Sequence, residues 1–241
     1  MKNGTVQVTS ASSNQIKDIH KFLLDIVPNK LSHRDAQRMI ANKGKLQKKL
    51  RNVVNEYLEA SPYEQQLLSW QDFYREYFGM ELDFSEIEIP ETKDGFDRLI
   101  VIAKGITVNQ VYDACAKRFS CWRYVNDLDK DVPTNDRTSK EAYAVWVRNN
   151  IEADEQYKNT SANELAKRSI KGITLLERLV LELKYFAETG NHLDITNVTL
   201  CSGSRNSGGG VPVVGWFERK LYVSWYDAGY SNDNLRCREV V

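Results

Sequence analysis

The chain has 241 residues, with 33 Lys+Arg balanced by 33 Asp+Glu, 41% hydrophobic and 10% aromatic residues. This is close to average globular usage and excludes disordered, collagen-like and fibrous classes; the zero net charge also argues against coating nucleic acid by bulk charge. The longest apolar run, Leu99–Ala103, is too short to span a bilayer, and the N-terminus lacks the apolar core of a signal peptide. A cytoplasmic protein with no membrane partner is therefore expected.

The first 60 residues carry 8 Lys and 3 Arg against 5 acids, whereas residues 61–100 carry 3 bases against 10 acids. Adjacent blocks of opposite sign neutralise each other or bind separate partners. Ser13 predicts a helix cap ahead of Ile16, Ile19, Phe22, Leu23 and Ile26, with Pro28 as the stop. Ser32-His-Arg-Asp35 has the form of a capping box and predicts one long helix to about Leu58, with Ala36, Met39, Leu46, Leu50, Val53 and Tyr57 on its apolar side. Ser61-Pro62-Tyr-Glu64 combines a cap, an N1 proline and an N3 glutamate. The helix it opens carries Leu67, Trp70, Tyr74, Tyr77 and Phe78 and ends at Gly79. Residues 1–80 are thus expected to form a helical arm or bundle, and 81–241 an α+β domain.

Near Ser85 the period changes to two. Phe84, Ile87 and Ile89 alternate with Glu86 and Glu88, which predicts a strand with one wet face. The β-branched run Leu99–Ala103 predicts a strand covered on both faces. A helix from Thr107 and a strand over 143–147 follow, with a polar, turn-rich stretch at 126–140. Ser161-Ala-Asn-Glu164 and Thr174-Leu-Leu-Glu177 are further capping boxes. The second opens a helix with Leu175, Leu176, Leu179, Val180, Leu183 and Phe186 inward, closed by Gly190. The tail reads as strands over 198–201, 211–217, 221–226 and 235–240, separated by Gly, Asn, Ser and Asp. The fold class is α+β: a helical N-terminal region followed by a mixed or antiparallel sheet packed with helices.

Few side chains carry a chemical signature. Ser202–Gly210 is small and glycine-rich, so Ser204 and Arg205 are candidate anion ligands. It lacks the lysine and the following helix of a phosphate loop, and a hairpin connection competes with that reading. His192 and Asp194 are the candidate base and its orienting carboxylate, with Cys201 or Ser204 as nominal nucleophile but no nucleophile elbow. Asp127, Asp129 and Asp131 begin like a calcium loop, but Val132 and Thr138 stand where glycine and glutamate are required. Glu152, Asp154 and Glu155 are paired carboxylates that a helix N-terminus explains equally well. The four cysteines, at 115, 121, 201 and 237, form neither a Cys-x-x-Cys zinc pattern nor a disulfide framework, so reduced, mostly buried thiols are expected. No metal ion or cofactor is expected.

Two surfaces remain. Lys43, Lys45, Lys48, Lys49 and Arg51 make a basic helix that can contact phosphates. In 221–226, Leu221, Val223 and Trp225 are expected to face the core. Tyr222, Ser224 and Tyr226, with Lys220, with Arg236 or Arg238 on a neighbouring strand and with Trp122, would then form an aromatic binding face.

Cys121-Trp-Arg-Tyr124, Tyr143-Ala-Val-Trp-Val-Arg148 with Glu152-Ala-Asp-Glu155, the Gly172–Asp194 segment and Thr199–Arg205 resemble a family of uncharacterised bacterial proteins. The resemblance covers about residues 95–241, with a looser match upstream. It implies a bacterial, cytosolic origin and brings no catalytic residue. Three functional expectations follow. The first is a non-enzymatic module that engages a protein partner, or itself, through the N-terminal helices. The second is a nucleic-acid-associated protein using helix 43–51. The third is an enzyme with an anion site in the 202–210 loop.

Overall fold

The computed structural model describes residues 13–25, 30–57 and 62–241, so the expected stop at Pro28 and cap at Ser61 lie outside the described residues. The chain divides into two units, residues 1–60 and 61–241.

The first unit holds α1 (Ser13–Asp25), α2 (His33–Ala41) and α3 (Lys43–Tyr57). Ser32 caps α2, its hydroxyl accepting from the Asp35 amide at 3.1 Å. The single helix expected from Ser32 to Leu58 is broken at Asn42. The Asn42 side chain donates to the Arg38 carbonyl at 2.8 Å, and its backbone leaves the helical region at φ −107°, ψ 20°. Asparagine competes with the helix ladder in this way, and Gly44 adds a weak helix former just beyond it.

The second unit begins with α4 (Pro62–Phe78), the helix that the sequence grouped with the N-terminal arm. Trp70, Phe73 and Tyr74 are buried in the core of 61–241. The Tyr74 hydroxyl donates to the Val101 carbonyl and accepts from the Ala103 amide, so it takes up ladder groups of the neighbouring strand. That strand, β1 (Arg98–Ile102), pairs antiparallel with β4 (Tyr143–Val147), whose Trp146 exchanges backbone hydrogen bonds with the terminal Val241. No strand forms over 84–89. Asp83 accepts from the Ser85 amide, and the Ile87 amide closes a turn onto Phe84, whose ring is buried. An aspartate-led turn outweighs the alternation there.

After α5 (Val108–Ala116) comes a mixed five-stranded sheet in the order β2-β8-β7-β5-β9. Its strands are β2 (Cys121–Arg123), β5 (Val198–Leu200), β7 (Val211–Phe217), β8 (Lys220–Tyr226) and β9 (Leu235–Cys237). β2 and β9 pair in parallel with their neighbours, and the others are antiparallel. Between β2 and β4 lie α6 (Leu128–Asp131) and β3 (Thr134–Asn135); β3 pairs with β6 (Ser204–Arg205). The protein is α+β, with helices preceding a mixed sheet.

The sheet's inner face, through Val214, Leu221 and Val223, joins the main core with α5 and α8 (Leu175–Thr189). Thr174 and Glu177 cap α8 reciprocally, and Gly190 ends it at φ +71°. The outer face is covered over one half only. There Val198, Leu200, Val211, Val213, Leu235 and Cys237 pack under Tyr157, Ala162 and Leu165 of a 3₁₀ turn (Glu155–Tyr157) and α7 (Ala162–Lys167).

Candidate binding face on the five-stranded sheet

The expected catalytic pair is part of the framework. All ten residues Leu175–Lys184 of α8 are buried, so each polar group on that stretch needs an internal partner. Arg178 donates to Asp194 at 3.0 Å and to Glu182 at 2.8 Å, and Arg238 donates to the other Asp194 oxygen at 2.7 Å. Thr199 completes the Asp194 carboxylate. Burial acts to raise the Asp194 pKa, but the two arginines and the hydroxyl outweigh it and hold the group below its ordinary value. Asp194 thus spends its lone pairs on two arginines and a hydroxyl rather than on His192. The His192 ring instead meets Glu182 through Nδ1 at 2.9 Å and stacks on Trp216 with centroids 3.3 Å apart.

Ser204 lies against the first turn of α8, and Arg205 beside it turns back on its own loop. The Ser204 hydroxyl donates to Asn135 and accepts from the Leu175 amide at 2.9 Å, adding a second cap to the helix. Arg205 donates to the Ser202 and Ser204 carbonyls. Asn206 occupies the loop amides that an anion would use, since its Oδ1 accepts from Gly208 and Gly210. The structure therefore does not bring His192 and Asp194 to the 202–210 loop. Nor do the thiols offer a nucleophile: burial pushes Cys115 and Cys201 up, and Cys121 and Cys237 up to about 12.

The carboxylate runs also disperse. Asp127 caps α6, Asp129 accepts from the Val108 and Asn109 amides, and Asp131 takes the Tyr124 hydroxyl. Glu152 holds the amides of 195–197, Asp154 pairs with Arg148, and Glu155 with Arg236. Among the described residues no group of three or more His, Cys, Asp or Glu is arranged to hold a metal ion.

Lys43, Lys45, Lys48 and Lys49 lie exposed on α3, and Arg51 is half-buried on the same helix. Lys45, Lys48 and Lys49, spaced three and four apart, share a helical face.

The aromatic residues come together. The cross-strand register sets Trp122 beside Tyr222 and Tyr222 opposite Gly215. The Trp122 and Tyr222 rings are 5.3 Å apart, and Phe217 meets Tyr222 at 6.3 Å and 65°. These rings border the uncovered half of the outer face. Val198, Val213, Gly215, Phe217, Glu218, Tyr222, Ser224 and Tyr226 line an open groove of about 410 Å³ there. Gly215 is its tightest point, because a Cβ would fall 2.6 Å from Val198 Cγ1 and 2.9 Å from Phe217 Cε2. Trp225 is not in the core as alternation predicts. It is 42% exposed and lies against Gly210, near the end of its strand.

Phe217 and Glu218 were missed by the sequence analysis, which placed them at a strand end and in a connection. The signal was the two-residue link Glu218-Arg219, which register alone makes a tight hairpin turn with φ +47° and +64°. A second hollow, of about 200 Å³, lies between α4, β1 and α8. There the buried Lys184 amine donates to the Ser69 carbonyl and hydroxyl and sits 3.4 Å from Glu188. Burial pulls its pKa down, while Glu188 opposes the shift. These bonds tie α8 to α4 across 115 residues of sequence.

No family model, curated protein or solved structure matches this chain. Among the described residues no helix is long and apolar enough to cross a membrane.

Proposed function

We propose that the chain is a non-enzymatic binding module whose ligand sits on the uncovered half of the sheet's outer face. The observation that carries this reading is the groove between Phe217, Tyr222 and Tyr226, with Trp122 exposed at its side. An apolar hollow of this size with a few polar groups at its edge has the form of a ligand site. The sheet beneath it is rigid, because the same strands bury the core on their inner face. Asp194, Ser204 and Arg205 are committed to internal hydrogen bonds, which favours binding over chemistry at the 202–210 loop.

Indole is a suitable first probe, because its flat ring matches the aromatic walls. Its addition shifts the amide resonances of Gly215, Phe217 and Tyr222 in the full-length protein. A Tyr222→Ser variant with an unchanged circular dichroism spectrum loses most of that binding. Unaltered binding to the variant, or none to the parent protein, rejects the groove as the site.

A second reading, engagement of a protein through the N-terminal helices, is favoured by one observation. Ile16, Ile19 and Phe22 on α1, Ile40 on α2, and Leu50, Val53 and Val54 on α3 are all exposed, with Phe22 at 65%. Apolar stripes left open in this way mark association surfaces. The lysines of α3 give the same unit its capacity to contact phosphates.

A further inference from the structure

The groove mixes aromatic walls with one carboxylate, and that mixture selects a ligand chemistry. Phe217 and Tyr222 stand at 65° with centroids 6.3 Å apart, and the edge of the Phe217 ring lies close over Gly215, the residue opposite Tyr222. Glu218 is the one charged residue lining the groove. Ring faces carry negative potential and attract cations whose charge is spread over methyl groups, because such cations lose little hydration on entering. A nearby carboxylate adds Coulomb attraction. The turn that presents Glu218 puts it and Arg219, neither of them glycine, at positive φ, a conformation that residues with a side chain rarely adopt. Lys220, the cross-strand partner of Phe217, is exposed and does not line the groove, although its charge opposes a cation there.

Resting on the binding reading above, we infer that the Phe217–Tyr222 corner takes the trimethylammonium group of a small molecule of the choline type. Ser224 is also on the outer face, two residues along from Tyr222, or roughly 7 Å of strand. It lies beyond Tyr222 on the side away from Phe217, where a polar tail running along the strand meets it. The rings hold the cation, Glu218 balances its charge, and Ser224 sets the direction of the tail.

The experiment compares choline with 3,3-dimethylbutan-1-ol, which has the same shape without the charge, by amide shift mapping on the full-length protein. Choline shifts Gly215, Phe217, Tyr222 and Ser224 and binds roughly tenfold more tightly than the neutral alcohol. Glu218→Gln weakens choline severalfold and leaves the alcohol unchanged, and Lys220→Gln tightens choline. Equal affinity for choline and the alcohol overturns the ammonium assignment while leaving the groove as an apolar site. No binding of either overturns it too, and the indole titration then decides whether the groove binds anything. A trimethyl-lysine peptide that binds much more tightly than choline overturns the assignment to a small molecule in favour of a modified protein tail.

Discussion

The Asp194 carboxylate is shared between Arg178 and Arg238, and all three side chains are almost completely out of solvent. Such an arrangement is costly to assemble and far costlier to break, because removing the anion strands two buried guanidinium groups. Asp194→Asn keeps the shape and suits the positive φ of 53°, yet it lowers stability by about 3–5 kcal/mol, as read from the urea midpoint. The same carboxylate gives the fold an acid dependence of known sign. Its folded pKa lies below the unfolded value of about 3.9. Its contribution is therefore complete above about pH 4 and is lost as pH falls through the folded pKa. Urea midpoints measured between pH 6 and pH 3 drop for the parent protein, and the Asp194→Asn variant lacks that part of the drop. A variant with parental stability, or with the full acid sensitivity, contradicts this account of Asp194. His192, beside this network, gains its position from stacking on Trp216 and from the bond between its Nδ1 and Glu182.

Helix α8 shows what capping contributes when the helix end is enclosed. Thr174 is fully buried, its hydroxyl accepts from the Glu177 amide, and Glu177 returns a bond to the Thr174 amide while also receiving Arg137 and Tyr143. Thr174→Val keeps the volume and removes the oxygen, so it isolates the cap from packing. Its expected cost is about 1–2 kcal/mol, measured by chemical unfolding, and a loss under about 0.3 kcal/mol contradicts the assignment. The box at Thr174 and the glycine at 190 made this helix legible from sequence, because caps and stops are local signals. The partners of its polar residues were not legible. Arg178, Glu182 and Lys184 each find a partner in a distant segment or a neighbouring turn, as Lys184 does at Ser69. Alternation located Tyr222 and Tyr226 on the outer face, whereas the parallel pairing of β2 with β8, which sets Trp122 beside Tyr222, has no local signal. It failed at Trp225, because alternation reports a face and cannot report where the covering layer ends. It failed again at 84–89, where one Asp83 turn redirected the chain.

Among the described residues, both hydrophobic clusters lie in 61–241, beginning with the α4 residues Leu67 and Trp70, whereas none of the described α2 residues is buried. Stability on this scale follows the core, since apolar burial is the main favourable contribution to folding. The fragment 61–241 is therefore expected to unfold cooperatively, with a midpoint within a few degrees of the full chain's and with the indole shifts at Gly215 and Tyr222 intact. The exposed stripe of α1–α3 and the lysines of α3 leave with residues 1–60. Concentration-dependent association in sedimentation equilibrium, and any salt-sensitive binding of an oligonucleotide, should vanish in the fragment. A boundary at residue 80 predicts the opposite. A fragment 81–241 that matched the stability of 61–241 would show that Trp70, Phe73 and Tyr74 are dispensable to the core. Against that stand the Tyr74 hydroxyl bonds to Val101 and Ala103 and the bond from Lys184 to Ser69, which α4 alone supplies. Losing three buried aromatic side chains, at about 3–5 kcal/mol each, together with those bonds is comparable to the whole stability of a domain, about 5–15 kcal/mol. The shorter fragment is accordingly expected to lack a cooperative unfolding transition.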